Sequence, residues 1–200
     1  MAVTKEQICN IGLGWIGANR VADITNGTSE EELLCKDQFE ISVRATLEHK
    51  AWLFATAVVD CGVGAAVDTG EHEDFSGKYT LPGGSNVVHV VQADDGSGKY
   101  DVDFEQRGGY VYADLAPSAK LYVRAVCYNA DPSTWTPTFQ RAVAARIAAD
   151  LAMTLTESLV HEQRMEKKFA EEVKKGGAWD AMRGTSQNFK SNVILAWTRR

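Results

Sequence analysis

The chain has 200 residues, of which 44% are hydrophobic and 24% charged, and its formal net charge is -6. A chain of this length and composition makes one domain, or one domain with an inserted lobe, and buries about 70–75% of its unfolded surface without needing disulfides or metal. The acidic balance argues against a free-standing nucleic-acid binder, which carries a basic patch or a high isoelectric point.

Thr4 is placed to cap a first helix that runs to Trp15 or Ile16 and stops at Gly17. Residues 23–27, Asp-Ile-Thr-Asn-Gly, are turn chemistry. A second helix begins at Ser29, with Glu30, Glu31 and Glu32 favourably set at the positive end of its dipole, and runs to about Lys50. Lys36, Glu40, Arg44 and Glu48 alternate in sign at i,i+4 along one solvated stripe. Leu34, Cys35, Phe39, Ile41, Val43 and Ala45 cover much of the remaining circumference, which predicts a central helix packed on more than one side.

From Phe54 the period changes. Strands are expected over 57–61, 78–81, 87–93, 100–106, 110–114 and 121–127. Tyr100, Val102 and Phe104 alternate with acidic residues, and Arg107-Gly108-Gly109 turns the chain into Tyr110-Val111-Tyr112 as a hairpin. After Asp131-Pro132 the helical period returns. Thr136 caps, Pro137 takes the first helical position, and Phe139, Val143, Ile147, Leu151 and Leu155 recur every fourth residue. Alanines 142, 144, 145, 148, 149 and 152 permit close approach of a neighbour. Thr154-x-x-Glu157 resembles a capping box for a fourth, charge-dense helix, expected to run to Lys175 and stop at Gly176-Gly177.

The expected fold class is therefore α+β: a four-helix bundle with an inserted small antiparallel β lobe and an extended C-terminal tail. Residues 1–56 supply the first two helices of the bundle and 57–127 the lobe. Residues 128–178 supply the last two helices, and 179–200 a flexible tail.

Chemistry is sparse. Residues 12–17, Gly-Leu-Gly-Trp-Ile-Gly, spell G-x-G-x-x-G, the pattern in which glycine backbone approaches a dinucleotide pyrophosphate. That use requires a buried strand before it and a long helix directly after, whereas here a Lys-Glu-Gln start precedes it and a short turn-rich stretch follows. Glycines closing a first helix are the simpler expectation, and a dinucleotide-binding enzyme is the alternative from a different class. His49, His72, His89 and His161 lie far apart, and Cys9, Cys35, Cys61 and Cys127 include no C-x-x-C pair. Reduced, core-filling thiols and no metal site are expected. The acidic run Glu71-His72-Glu73-Asp74 is expected to be a solvated loop. No cofactor and no catalytic residue are expected. The first ten residues lack the apolar core of a secretion signal, and the most apolar run, 51–67, is interrupted by Asp60 and shorter than the ~20 residues of a membrane span. The expectation is a soluble chain, cytoplasmic when made.

Several blocks together resemble the head-to-tail adaptor of short-tailed bacteriophages, the tail tubular protein A or head-tail connector family. They are Asp23-Ile24 through Ser29-Glu30 with Cys35, Arg44, Leu47 and Trp52-x-Phe54-Ala55; Tyr79-x-Leu81-Pro82; Arg107-Gly108-Gly109-Tyr110-Val111-Tyr112; and Asp131-Pro132 through Phe139 with the alanine-rich helix. Where the family often has a Gly-Glu-Pro-Pro-like turn after helix one, this chain has Gly17-Ala18-Asn19-Arg20. The resemblance implies a structural virion protein and no reaction. It implies a twelve-fold ring beneath the portal protein, bridging it to the tail nozzle (tail tubular protein B) around the DNA channel. DNA would pass through the lumen without sequence-specific contact, and no membrane is involved. Such a protein assembles in the host cytoplasm and resides in the virion neck. Another head-completion ring is the neighbouring alternative.

The C-terminus, Ser-Asn-Val-Ile-Leu-Ala-Trp-Thr-Arg-Arg, places Val193, Ile194, Leu195 and Trp197 just before Arg199 and Arg200. Burying the four apolar side chains contributes at most roughly 6–12 kcal/mol, against roughly 10–20 kcal/mol to order ten residues of backbone. These six residues are the expected anchor to the portal or to a neighbouring copy, ordered on the partner; folding back on their own helices is the alternative.

Overall fold

A computed structural model describes residues 3–68, 70–72, 74–83 and 86–183. Among them are four α-helices and seven strands: α1 (Lys5–Ile16), α2 (Glu30–Glu48), β1 (Thr56–Val63), β2 (Ala65–Ala66), β3 (Gly77–Thr80), β4 (Val87–Asp94), β5 (Phe104–Arg107), β6 (Tyr110–Ala113), β7 (Lys120–Cys127), α3 (Pro137–Thr156) and α4 (Leu159–Arg183).

The helix starts follow their caps. Thr4 and Gln7 form a reciprocal capping box on α1, as Ser29 and Glu32 do on α2. Glu32 also gathers the backbone N–H groups of Ala22 and Asp23, so the turn between the helices is tied to the start of α2. Asn10 on α1 closes the same turn, exchanging two 2.8 Å hydrogen bonds with the backbone of Val21.

The four-helix bundle with a small inserted lobe is corrected. The strands form two antiparallel sheets, β1-β7-β4 and β2-β3-β6-β5. The three-stranded sheet is a middle layer. Val126, with half-buried Val88 and Val91, faces the helices, while Leu121, Val123 and Ala125 face the second sheet, where they meet Tyr79, Val111 and Ala113. Strands apolar on both sides need cover on both sides. The result is helices, sheet and sheet around two apolar clusters.

Gly64 carries the chain from β1 in one sheet to β2 in the other. Its N–H donates to the Pro117 carbonyl at 2.8 Å, and a Cβ there would press on the Lys78 carbonyl. β2 is too short to have shown in the sequence, and the strand expected over 100–106 begins only at Phe104. Before it Tyr100 adopts φ 53°, and the carboxylate of Asp94 accepts two bonds from the Gly98 N–H, which folds 94–98 into a turn.

The central helix is α3, not α2. It packs against α1, α2 and α4, and its alanines 142, 144, 145, 148, 149 and 152 are buried. Small side chains on several faces let three helices approach at once. On α2, by contrast, Leu33 and Ile41 are exposed, and the buried face is Cys35, Phe39, Val43 and Leu47.

Candidate functional site

The longest elements, α3 and α4, form an antiparallel hairpin. Its corner is two residues. Glu157 takes the left-handed conformation (φ 50°), donating its N–H to the Met153 carbonyl at 3.1 Å, and the Ser158 hydroxyl then accepts the His161 N–H. Ser158 is thus the residue that caps α4. The capping box expected at Thr154 and Glu157 is replaced by the end of α3, where the Thr156 hydroxyl donates back to the Ala152 carbonyl.

Nor does α4 stop at Gly176-Gly177. It runs on to Arg183, because the missing side chain of Gly176 is the space that the Trp52 indole fills. Trp52 is fully buried and donates its indole N–H to the Thr46 carbonyl at 2.9 Å. Met165 and Phe169 bury the inward line of α4. Glu172, also buried, accepts from Lys175 at 3.0 Å and lies 3.4 Å from Arg141 of α3, so its charge is paired on both sides.

Each end of the hairpin shows apolar side chains to solvent. At the corner these are Met153, Leu159 and Val160, the last 74% exposed. At the other end Trp179 and Met182 (79% exposed) stand beside Leu53, whose N–H reaches the Asp180 carboxylate at 3.4 Å. Asp180 is held there by Lys50. Between the start of α3 and the end of α4 lies a cleft of about 280 Å³ lined by Thr136, Pro137, Thr138, Arg141, Trp179 and Asp180. An α-helix rises ~1.5 Å per residue, so the two ends are about 30 Å apart. Apolar side chains scattered singly over a surface are normal, whereas large contiguous apolar patches are what marks an interaction site.

The other candidates resolve into structure. The glycine motif lies within α1 and its cap. Gly12 sits against the Ala144 backbone carbonyl of α3, where a Cβ would approach to 2.5 Å; a Cβ on Gly14 would meet nothing within 4 Å among the described residues; and Gly17 caps the helix at φ 77°. The strand, loop and helix that a pyrophosphate cradle requires are not formed there. His49 packs edge-on to Phe169, and His72 packs on Phe75 and Tyr112, with Nε2 3.3 Å from Glu105. His89 is half-buried, and desolvation holds its imidazole below the usual histidine range against the opposing pull of Glu48. In the acidic loop Glu71 accepts from Lys78 at 2.6 Å and from the Tyr112 hydroxyl at 2.7 Å, and these bonds lower its pKa. Among the described residues no three or more His, Cys, Asp or Glu side chains are grouped to hold a metal ion, and no helix is long and apolar enough to cross a membrane.

The expected anchor, Val193, Ile194, Leu195, Trp197, Arg199 and Arg200, lies outside the described residues. The exposed groups at the two hairpin ends are not among the residues that the sequence alone singles out. Leu159-Val160 directly after a capping serine is a readable signal, whereas Trp179 and Met182 join the helix only because α4 continues past its glycine pair. No family model and no curated protein sequence matches the chain.

Proposed function

We propose that the chain is a structural adaptor of a short-tailed phage virion, forming a ring that joins the portal protein to the tail nozzle around the DNA exit channel. The observation that carries this reading is the two-ended hairpin: α3 and α4 present apolar groups at Met153, Leu159 and Val160 and, about 30 Å away, at Leu53, Trp179 and Met182. A protein that bridges two partners needs two separate contact surfaces on one stiff element. The close-packed alanine face of α3 supplies the stiffness. The net charge of -6 suits a wall past which DNA slides, since repulsion disfavours adhesion to phosphate. The sequence blocks that resemble the adaptor family point the same way.

The test mixes the purified chain with a portal protein and a nozzle protein from the same phage genome and images the products by negative-stain microscopy. Rings on the portal are expected. Met153→Glu with Leu159→Glu should abolish docking to one partner and spare the other, and Trp179→Glu with Met182→Glu should do the reverse. Failure of the chain to bind either protein would overturn the proposal.

A further inference from the structure

The outward faces of α2 and α4 carry matching patterns of charge. On α2 the residues Leu33, Asp37, Glu40, Arg44 and Glu48 follow one another in steps of four, three, four and four. On α4 the residues Val160, Arg164, Lys167, Glu171 and Lys175 follow in the same steps. All but Arg44, which is half-exposed, stand out in solvent. Laid side by side in parallel, the helices place Leu33 level with Val160, Asp37 with Arg164, and Glu40 with Lys167. Further along, Arg44 falls level with Glu171, and Glu48 with Lys175. Every charged position thus meets the opposite sign, including the one place where the order inverts.

Asp37, Glu48, Arg164, Lys167 and Glu171 make no ion pair among the described residues. Ile41, 58% exposed, adds apolar surface to the middle of the α2 face. Within one chain both helices bury the opposite sides, Cys35, Phe39, Val43 and Leu47 on α2 and Met165, Phe169 and Glu172 on α4, and leave these two faces outward. The C-terminal ends of the helices also lie together, joined by Lys50 to Asp180 and by Trp52 to Gly176. A copy turned about an axis along the helices therefore keeps the parallel sense.

We propose that α2 of one copy packs in parallel against α4 of a second copy, in the register that sets Leu33 level with Val160. Each copy then offers one used and one free face, so the contact propagates head to tail and closes if the rotation closes. Complementary charge fixes register and steers encounter, and like charges in the wrong register oppose it. This rests on the reading of the chain as a ring-forming protein and names the surface that would build the ring.

Sedimentation of the full chain at low salt over rising concentration tests it, with two double variants. Asp37→Lys with Glu40→Lys reverses the α2 face, and Arg164→Glu with Lys167→Glu reverses the α4 face. Each variant alone should self-associate at least about tenfold more weakly than the wild type, with an unchanged circular dichroism spectrum. An equimolar mixture of the two should regain association, because each reversed face meets its complement. A short bismaleimide should also couple Leu33→Cys in one copy to Val160→Cys in another. A wild type that stays monomeric at every concentration overturns the inference, as does a reversed variant that associates as the wild type does. In the second case portal docking would still test the adaptor reading separately.

Discussion

The indole of Trp52 fills the place where a side chain on Gly176 would stand, so a residue just after α2 is locked into the last third of α4. A glycine inside a helix normally costs about 1 kcal/mol relative to alanine. Here its absent Cβ admits the largest buried side chain of the helical core.

Gly176→Ala is therefore expected to destabilise the fold by about 1–3 kcal/mol through overpacking, despite its gain in helix propensity. Gly177→Ala, whose Cβ would meet only Lys50 Nζ at 3.9 Å, should be neutral or stabilising by up to about 1 kcal/mol. Urea denaturation of the two variants side by side measures the difference.

The same contrast should appear inside the glycine motif. Gly12→Ala forces α1 away from the backbone of Ala144 and is expected to cost about 1–3 kcal/mol. Gly14→Ala meets no neighbour within 4 Å among the described residues and should gain up to about 1 kcal/mol. Equal effects in thermal melts would contradict a purely structural role for these glycines.

Asp23 and Glu32 should shape the acid limb of the stability curve. Hydrogen bonds from the backbone of Asn26 and Thr25 lower the Asp23 pKa below 3.8, and those from Ser29, Ala22 and Asp23 lower that of Glu32 below 4.5. A carboxylate whose pKa is depressed by folding gives its full stabilisation above its unfolded value and loses it as pH falls through the folded one. Glu32→Gln should thus be less stable than the wild type at pH 7, with the gap narrowing steadily below pH 4.5. Urea midpoints from pH 7 to 3 that run parallel for the two proteins would contradict this.

Thiol reactivity should divide the cysteines by environment. Cys9 and Cys35 are fully buried, and the hydrogen bond between their thiols together with desolvation pushes Cys9 well above the usual thiol range. Both should react with a disulfide reagent only as fast as the protein opens. Cys61 is half-buried, and desolvation raises it to about 11. Its labelling rate should climb about tenfold per pH unit below that value, since the thiolate is the nucleophile. Prompt labelling of Cys9 in the native protein would contradict the burial.

Local chemistry was legible where it was self-contained. Thr4, Ser29 and Thr136 mark helix starts because a capping hydroxyl acts within three residues, and Gly17 and the Gly108-Gly109 hairpin declare themselves by the conformations they allow. The same local logic fails at Gly176-Gly177. A glycine pair at a charge-dense helix end looks like a stop until Trp52, more than a hundred residues earlier in the chain, is seen to fill the gap. Of the candidate site, Leu159 and Val160 could be noticed as consecutive apolar residues, but their exposure depends on what α3 leaves uncovered.

By itself, then, the sequence determined the caps, the period of each helix, most of the strands and the alternation of charge along α2. Those follow from interactions between residues a few positions apart. Only the tertiary structure decided that the strands form a doubly covered middle layer with a second sheet, that α3 and not α2 is central, and that α4 continues past its glycines. Each depends on which distant surface fills the space beside a residue, and the side chain that fills it is remote in the chain.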